Sequence, residues 1–340
     1  MQSKRLGRHT VRLAGTVSVV SFANVGGRLE SQGPLAEYFD ELSQDSYFGS
    51  KSWEQAESLM QVHALHRALA KGGLEETELD YVLAGDLLNQ CIGTSFSMRD
   101  FSIPFYGLYG ACSTMGESLA LAAMLIDGGF ARFAAAMTSS HFCTAERQYR
   151  MPLPYGNQRT PTAQWTATAA GCCILGAQGE GPYVTHVACG QIRDLGIRDV
   201  NNMGAAMAPA AYDTLSALFR ETGTGPADYD LIVTGDLGYL GHGIVVDLFA
   251  RDGIDMTKNY TDCGLLLYDR EKQDMHAGGS GCGCSAAVLN GYLLGGMRGG
   301  QWNRIVFAPT GALLSPTSSF QGESIPGICH AVILSNERGV

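Results

Sequence analysis

Residues 107–129 read "GLYGACSTMGESLALAAMLIDGG", and the run that follows Cys112 is the most informative stretch of the chain. Glu117 is the only charged residue between Ser113 and Ile126. A helix that is apolar on nearly every face is buried on nearly every face, so this run predicts a central helix enclosed between layers. We expect the helix to begin at Cys112, where a Gly-punctuated stretch gives way to it.

A second copy of this pattern begins at Cys284, where residues 284–300 read "CSAAVLNGYLLGGMRGG". Aligning Cys112 with Cys284 also aligns Ser113 with Ser285, and further identities follow along both runs. The sequence therefore predicts two buried central helices, each beginning at a Cys-Ser pair.

Another repeat precedes each of these helices. Residues 73–87 ("GLEETELDYVLAGDL") resemble residues 223–237 ("GTGPADYDLIVTGDL"). In both copies a glycine ends a helical pattern, and a short apolar strand ends in Gly-Asp. Because both repeats occur in the same order, we predict an α/β protein made of two halves related by a pseudo-twofold axis. The Gly-rich stretch 176–182 then divides the chain into halves 1–180 and 181–340.

Composition excludes several classes of function. The formal net charge is −10 and no dense Lys/Arg cluster occurs, so no nucleic-acid partner is expected. The 10 cysteines contain no C-x-x-C pair and fit buried, reduced thiols; no metal site is predicted. The first 22 residues fit a buried strand better than a signal peptide, and no apolar run is long enough to span a membrane.

Cys112 allows two interpretations. A thiol at a helix N-terminus has its thiolate favoured and could act as a nucleophile, whereas a small buried residue would merely pack in a corner. A nucleophile needs a base within reach, and His141, His242 and His276 each follow or precede a predicted strand or glycine-rich turn.

The segment 141–166 predicts a ligand-binding loop, because prolines fix an irregular path and arginines can bind carboxylates. Its candidate ligand-binding residues are Arg147, Arg150, Arg159, Gln164 and Trp165. The candidate pocket further includes Cys112, His141, Asp236, Cys282 and Cys284.

The doubled unit with a cysteine at its first central helix resembles the thiolase and ketoacyl-synthase superfamily. More closely, "TSSHFCTAERQYR", "YGNQRTPTAQWT", "HAGGSGCGCSA" and "TGALLSPTSSFQGESIPGI" resemble the stage V sporulation protein AD family, from about residue 15 to 335. The resemblance implies a thiolase-like fold with α-β-α-β-α layers. It also implies a homodimer.

The same resemblance implies binding of dipicolinic acid, as its calcium chelate, and support of its uptake into the developing spore without catalytic turnover. Calcium would be bridged through the ligand, and no other cofactor is implied. The expected partners are membrane-embedded sporulation transport proteins. The expected location is the cytoplasm or the spore, peripheral to the inner spore membrane.

The sequence departs from the enzymes of the superfamily. Where ketoacyl synthases of type III end a strand in a catalytic histidine, this chain has Gly235 and Asp236. The loop "GGSGCGCSA", 278–286, lacks the next expected His or Asn. The alternative function is a cysteine-dependent acyltransferase or condensing enzyme acting through Cys112, with His242 as a candidate base.

Overall fold

The computed structural model describes residues 4–149 and 159–338. Its strands are β1 (Thr10–Arg12), β2 (Ser18–Gly26), β3 (Glu41–Leu42), β4 (Tyr81–Gly85), β5 (Phe105–Gly107), β6 (Phe133–Ser140), β7 (Trp165–Thr166), β8 (Ala169–Gly176), β9 (Tyr183–Ala188), β10 (Leu231–Gly235), β11 (Tyr260–Asp262), β12 (Gly279–Ser280), β13 (Arg304–Ala312), β14 (Gly327–Cys329) and β15 (Ala331–Ser335).

The α-helices are α1 (Trp53–Gly72), α2 (Ile92–Met98), α3 (Thr114–Asp127), α4 (Phe142–Tyr149), α5 (Met203–Thr222), α6 (Gly238–Arg251), α7 (Cys263–Leu266), α8 (Cys282–Val288), α9 (Leu294–Arg298) and α10 (Pro316–Phe320). None of these helices combines the length and the apolar character needed to cross a bilayer.

The first repeat has the predicted local structure in both halves. Gly73 and Gly223 directly follow α1 and α5 as their C-caps, and both glycines adopt left-handed backbone conformations, with φ of 62° and 69°. Glycine reaches this conformation without a steric penalty, which is why it ends the helices. Strands β4 and β10 follow, and Asp86 and Asp236 come directly after them.

The strand order repeats in the two halves. The order along the sheet is β11-β10-β13-β15-β9-β2-β8-β6-β4-β5. Outward from the β2–β9 junction, each half therefore shows the same succession of corresponding strands. This agrees with the duplicated order read from the sequence, while the pseudo-twofold axis and the half boundary at residue 180 stay predictions.

Five layers follow from the way the helices pack. Helix α1 contacts β2, β6 and β8 of the first half, and α5 contacts β13 and β14 of the second. Between them, α3 contacts β4 and β6 on one side and β13 and β15 on the other, while α8 contacts β6, β8 and α3. The predicted α-β-α-β-α layering with two buried central helices is confirmed.

The starts of both central helices differ from the prediction. Helix α3 begins at Thr114, because Ser113 is its N-cap and Cys112 lies before it. Helix α8 begins at Cys282, two residues before Cys284, and continues through a π-helical turn into α9. The segment 141–166 also differs, since it opens with α4 rather than an irregular loop.

The central helix α3 lies very close to the second half. A Cβ added at Gly116 would lie 2.6 Å from Pro309 Cγ and 3.1 Å from the main-chain oxygen of His330. Only glycine leaves room for this approach. The N-terminal arm adds a further tie between the halves, because β1 pairs with β9 and Lys4 forms an ion pair of 2.7 Å with Asp127.

Candidate functional site

A cavity of about 50 Å³ lies beside Cys112. Its described lining combines residues of both halves: Leu87, Tyr109, Ala111, Cys112, Ala145, Glu146, Tyr149, Thr166, Val200, Met203, Ser280, Ala312 and Leu314. Apolar side chains dominate, with a few polar groups among them, as in small-molecule sites. The predicted cavity beside Cys112 is therefore present.

Local backbone geometry presents Cys112 to this cavity. Ala111, the preceding residue, has a positive φ of 49°, a strained conformation for a residue with a side chain. The Ser113 hydroxyl donates to the main-chain oxygen of Gly110 at 2.7 Å and fixes the turn. Ser280 of β12 is paired with Thr166 of β7, and both residues line the same cavity.

The surroundings of Cys112 favour the neutral thiol over the thiolate that one of the two interpretations requires. The side chain is buried and lies near the Asp236 carboxyl group. Burial, followed by the negative charge of Asp236, raises the pKa of the thiol well above its ordinary value. Both effects disfavour a second charge, so a helix N-terminus nearby does not generate a nucleophilic thiolate here.

Asp236, a candidate pocket residue, directly follows β10. It is fully buried, has a positive φ of 54°, and accepts hydrogen bonds from the Thr310 hydroxyl at 2.8 Å and the Ser280 hydroxyl at 3.3 Å. Burial raises the pKa of Asp236 to about 7, with the hydrogen bond from Thr310 opposing the rise and the charge of Asp262 adding to it. The chain thus supplies its own carboxyl group between the central helices.

The described arginines of the predicted loop lie elsewhere. Arg147 forms an ion pair with Glu54, and its guanidinium lies over the ring of Trp53. Arg159 pairs with Asp274 at 3.1 Å and lies over the ring of Trp165. Neither lines the cavity.

Arg150 falls outside the described residues. Among the residues that the structure describes around the cavity, the charged side chain is Glu146, which is buried, and none is cationic.

The three candidate histidines also lie away from the cavity lining. His141 Nδ1 accepts from the Cys143 N–H at 3.1 Å, so Nε2 carries the proton and donates to Ser46 O at 2.8 Å. His242 stacks on Tyr260 with ring centroids 4.5 Å apart, and burial lowers its pKa. His276 Nδ1 lies 2.7 Å from Thr160 O. None is placed to take a proton from Cys112.

The remaining predicted residues surround the site without lining it. Gln164 donates a short hydrogen bond to the main-chain oxygen of Asp236, and Trp165 stacks on Phe142 at 3.8 Å. The Cys282 thiol packs in one cluster with Cys112 and donates to Ser139 O at 2.9 Å. Cys284 is fully buried in the central core.

Sequence reasoning missed a buried polar network behind the cavity wall. Glu57 accepts hydrogen bonds from Ser139 at 3.1 Å and Thr144 at 2.6 Å. Burial, together with the charge of Asp86, raises the pKa of Glu57 to about 8. Gln61 extends the network by donating to Ser139 at 2.7 Å. Glu57 and Gln61 lie four residues apart in a helix, a spacing that places both on one face and could have identified them.

The fold and the cysteine-centred cavity define a thiolase-like protein. The structure is similar to 3-oxoacyl-acyl-carrier-protein synthase III of Aquifex aeolicus, with a TM-score of 0.60, 12% identity, and coverage of 94% of this chain and 100% of that one. It is also similar to human mitochondrial 3-ketoacyl-CoA thiolase, with a TM-score of 0.57, 12% identity, and coverage of 95% and 99%. These enzymes share the fold at low identity.

The family is narrower than the fold. The family described as Stage V sporulation protein AD (SpoVAD) matches residues 7–335. The chain is 42% identical over 336 residues to Stage V sporulation protein AD of Bacillus subtilis (strain 168), covering 99% of each chain. The chain therefore belongs to the SpoVAD family.

Proposed function

We propose that this sporulation protein binds dipicolinate, as its calcium chelate, in the Cys112 cavity and supports its uptake into the developing spore without turnover. The observation that carries the proposal is the setting of Cys112: a buried thiol that lines a cavity and lies near the Asp236 carboxyl group, where burial and then that charge raise the pKa of the thiol well above its ordinary value. A covalent catalyst needs a thiolate and a base, whereas a binding pocket needs neither. Membrane-embedded sporulation proteins are the proposed partners, and a homodimer is the proposed assembly.

The size of the cavity bears on the proposal. The cavity of about 50 Å³ corresponds to roughly four water positions. The chelate is larger, so the wall must open. Tyr109 is the exposed residue of the described wall, with 41% exposure, and its hydroxyl group lies 2.6 Å from the Tyr149 hydroxyl group.

Isothermal titration calorimetry with dipicolinate and calcium tests the proposal. Ala145→Leu adds bulk to the cavity wall and should weaken binding by at least about tenfold, since overpacking a site costs on the order of 1–3 kcal/mol. Ala250→Leu adds the same bulk at an exposed position of α6 and should leave binding unchanged.

Arginine variants complete this test. Arg147→Ala and Arg159→Ala should retain binding, because both guanidinium groups are engaged outside the cavity. Arg150 stays a predicted ligand-binding residue, and undiminished binding by Arg150→Ala would remove it. Absence of binding by the wild-type protein would contradict the proposed function.

A second candidate function is acyl transfer through Cys112. The observation that favours it is the Asp236 carboxyl group near the thiol, since burial raises the pKa of Asp236 to about 7, a value that suits a general base. This function predicts a covalent acyl adduct on Cys112 after incubation with acyl-coenzyme A. Intact-protein and peptide mass spectrometry without such an adduct would contradict it.

A further inference from the structure

A second cavity lies at the end of the sheet opposite Cys112. Its volume is about 200 Å³, four times that of the Cys112 cavity. Strand β13 connects the two ends: its last residue, Ala312, lines the Cys112 cavity, and its first residue, Arg304, pairs with Ser335 of β15. Arg338, three residues after Ser335, lines the second cavity. Nine strand residues span roughly 25–30 Å, so the two cavities are separate sites.

The lining of this second cavity, which we call the arginine cavity, contains two cations and no acid. Its described lining consists of residues 12–17, residues 183–185 and Arg338, and its charged members are Arg12 and Arg338. Neither forms an ion pair with an acid of the described chain. Other arginines of this acidic protein do form such pairs: Arg67, Arg99, Arg132, Arg147, Arg159, Arg193 and Arg220. The arginine cavity therefore holds two positive charges that no described carboxylate pairs with.

Arg338 is held in place by the cavity wall. Its Nε donates to the Tyr183 hydroxyl at 2.9 Å, and its Nη2 donates to Gly179 O at 2.9 Å. Its guanidinium also lies 5.1 Å from the centre of the Tyr183 ring. These contacts use two of the five N–H donors of the guanidinium and leave the others for a ligand. A group that is positioned before binding loses less conformational freedom when the ligand arrives.

Arg12 contributes the second charge. Its side chain is exposed and has no hydrogen bond or ion pair with any residue that the structure describes. It lies opposite His186 in the pairing of β1 with β9. Burial, followed by the charges of Arg304 and Arg12, lowers the pKa of His186 to about 4. The charges that act on His186 are thus cationic, which agrees with a positive potential at this end of the sheet.

The acids around the arginine cavity do not cancel this potential. Asp127 lies against the wall but already accepts from Lys4 Nζ at 2.7 Å and from the main-chain N–H groups of residues 14 and 15 at 2.9 and 2.6 Å. Its charge is therefore offset by Lys4. Glu180 and Glu337 are neighbours of wall residues in the sequence, but both are exposed and lie outside the lining.

Main-chain oxygens of the wall are occupied as well. The Leu13 N–H donates to Thr185 O and the Val184 N–H donates to Val17 O, both at 2.9 Å. Because these carbonyl groups already have donors, they compete little with a ligand for the guanidinium groups.

We propose that the arginine cavity binds a phosphate group between Arg12 and Arg338. A phosphate offers at least three acceptor oxygens and up to two negative charges, so two guanidinium groups can bind it together, whereas one carboxylate matches a single guanidinium fork. The site is distinct from the Cys112 cavity and does not depend on the function proposed there. Two sources supply such a group, a small phosphorylated molecule and the headgroup of an anionic lipid, and the experiments separate them.

Arginine-directed modification tests the site in the wild-type protein. Phenylglyoxal reacts with free guanidinium groups, and peptide mass spectrometry reports the rates at Arg12 and Arg338 separately. About 20 mM inorganic phosphate should slow both reactions at least about threefold relative to sodium chloride of equal ionic strength, because a bound ligand shields its site. The exposed Arg28 is the internal control, and its rate should not change. Unslowed reaction at Arg12 and Arg338, or equal protection by sodium acetate, overturns the proposal.

Thermal unfolding of substituted proteins gives a second readout. Phosphate stabilises most proteins to some extent by exclusion from their surface, so the comparison is made between variants. The rise of the unfolding midpoint in phosphate relative to chloride should be smaller in Arg12→Gln and Arg338→Gln than in the wild type, and unchanged in Arg28→Gln. Equal phosphate effects in all three variants overturn the proposal.

Vesicle co-sedimentation separates the two sources of phosphate. The probe is a phosphatidylcholine vesicle with about 30% phosphatidylglycerol, which carries an anionic phosphate headgroup. Co-sedimentation that Arg12→Gln loses and Arg28→Gln keeps assigns the site to a lipid headgroup. Protection by inorganic phosphate without such co-sedimentation assigns it to a small phosphorylated molecule. Arg12→Gln should leave dipicolinate binding unchanged, so failure of the function proposed for the Cys112 cavity would not affect this result.

Discussion

Asp86 and Asp236 end corresponding strands of the two halves, but they have different surroundings. Asp86 accepts hydrogen bonds from the Thr94 main-chain N–H at 2.6 Å and from the Leu88 N–H at 2.8 Å, and its buried neighbour is Glu57. Asp236 has the Cys112 thiol as its neighbour instead. One repeated dipeptide thus became a carboxyl pair in one half and a carboxyl–thiol pair in the other.

At the level of single residues, the sequence identified Cys112 and Asp236 as site residues but could not assign their charge states. The helix N-terminus favoured a thiolate, but burial, followed by the charge of Asp236 from the other half, raises the pKa of the thiol. Ser280, Thr166 and Glu146 were not selected, since single hydroxyls and carboxylates without spacing motifs give no local signal.

Glu57→Gln tests the proton held by the carboxyl pair. The pKa of Glu57 is raised from 4.5 to about 8, so between these values the native state holds a proton that the unfolded state lacks. Wild-type stability is therefore lost as the pH rises through this window. Glutamine mimics the protonated acid: its amide can donate to Thr144, which can donate to His141 O at 2.9 Å. We expect the variant to be more stable than the wild type at about pH 9, by on the order of 2 kcal/mol.

Urea unfolding between about pH 5 and pH 9 measures this difference. The exposed Glu37 provides the control, and Glu37→Gln should keep the wild-type pH dependence. Parallel pH profiles for wild type and Glu57→Gln would show that Glu57 is ionised in the folded protein.

Helix ends were more predictable than helix starts. The glycines that follow α1 and α5 were recognised from the sequence, because the left-handed conformation at a helix end depends on the residue at that position and not on distant contacts. The starts of α3 and α8 were misplaced by two residues each, because a helix start depends on which hydrogen bonds the preceding chain makes. In the second half those preceding residues belong to β12, whose pairing with β7 is a long-range contact.

Close packing of α5 against α6 gives a prediction with a matched control. A Cβ at Gly241 would lie 2.7 Å from Gly204 O and 2.9 Å from Gly204 Cα, whereas one at Gly243 in the same helix meets nothing within 4 Å. Gly241→Ala should lower the free energy of unfolding by about 1–3 kcal/mol, because the backbone of α5 must move. Gly243→Ala should be neutral or stabilising by up to about 1 kcal/mol, since alanine favours helix.

Unfolding by guanidinium chloride measures the free energy of unfolding of Gly241→Ala and Gly243→Ala. Equal stabilities for the two alanine variants would show that the helices separate readily and that the contact does not limit stability.

The whole-molecule arrangement was predictable to the extent that the chain repeats itself. Two copies of one unit implied two similar strand orders, and the structure has them. The junction of β2 with β9 and the N-terminal arm on β9 were not predictable, because neither pairing has a counterpart within one copy. The cavity also depends on the arrangement of the whole molecule, since residues of both halves line it.

The shared core predicts that the two halves unfold together. Buried residues of both halves form one central cluster, in which Leu119 of α3 packs with side chains of β8, β13 and β15. Differential scanning calorimetry should show a single transition whose calorimetric and van't Hoff enthalpies agree. Gly116→Ala should lower the midpoint without splitting the transition, because Gly116 touches Pro309 across the halves. Two resolved transitions in the wild type would contradict this prediction.

The position of α3 between the halves has a consequence for the nascent chain. Its first-half partners, β4 and β6, are complete by residue 140, but β13 and β15 on its other side are not complete until residue 335. During translation of nearly two hundred residues, one apolar face of α3 awaits its cover. For more than half of elongation, the nascent chain is therefore incompletely folded and exposes apolar surface that favours aggregation. We expect efficient production to depend on chaperones as well as on the stability of the folded protein.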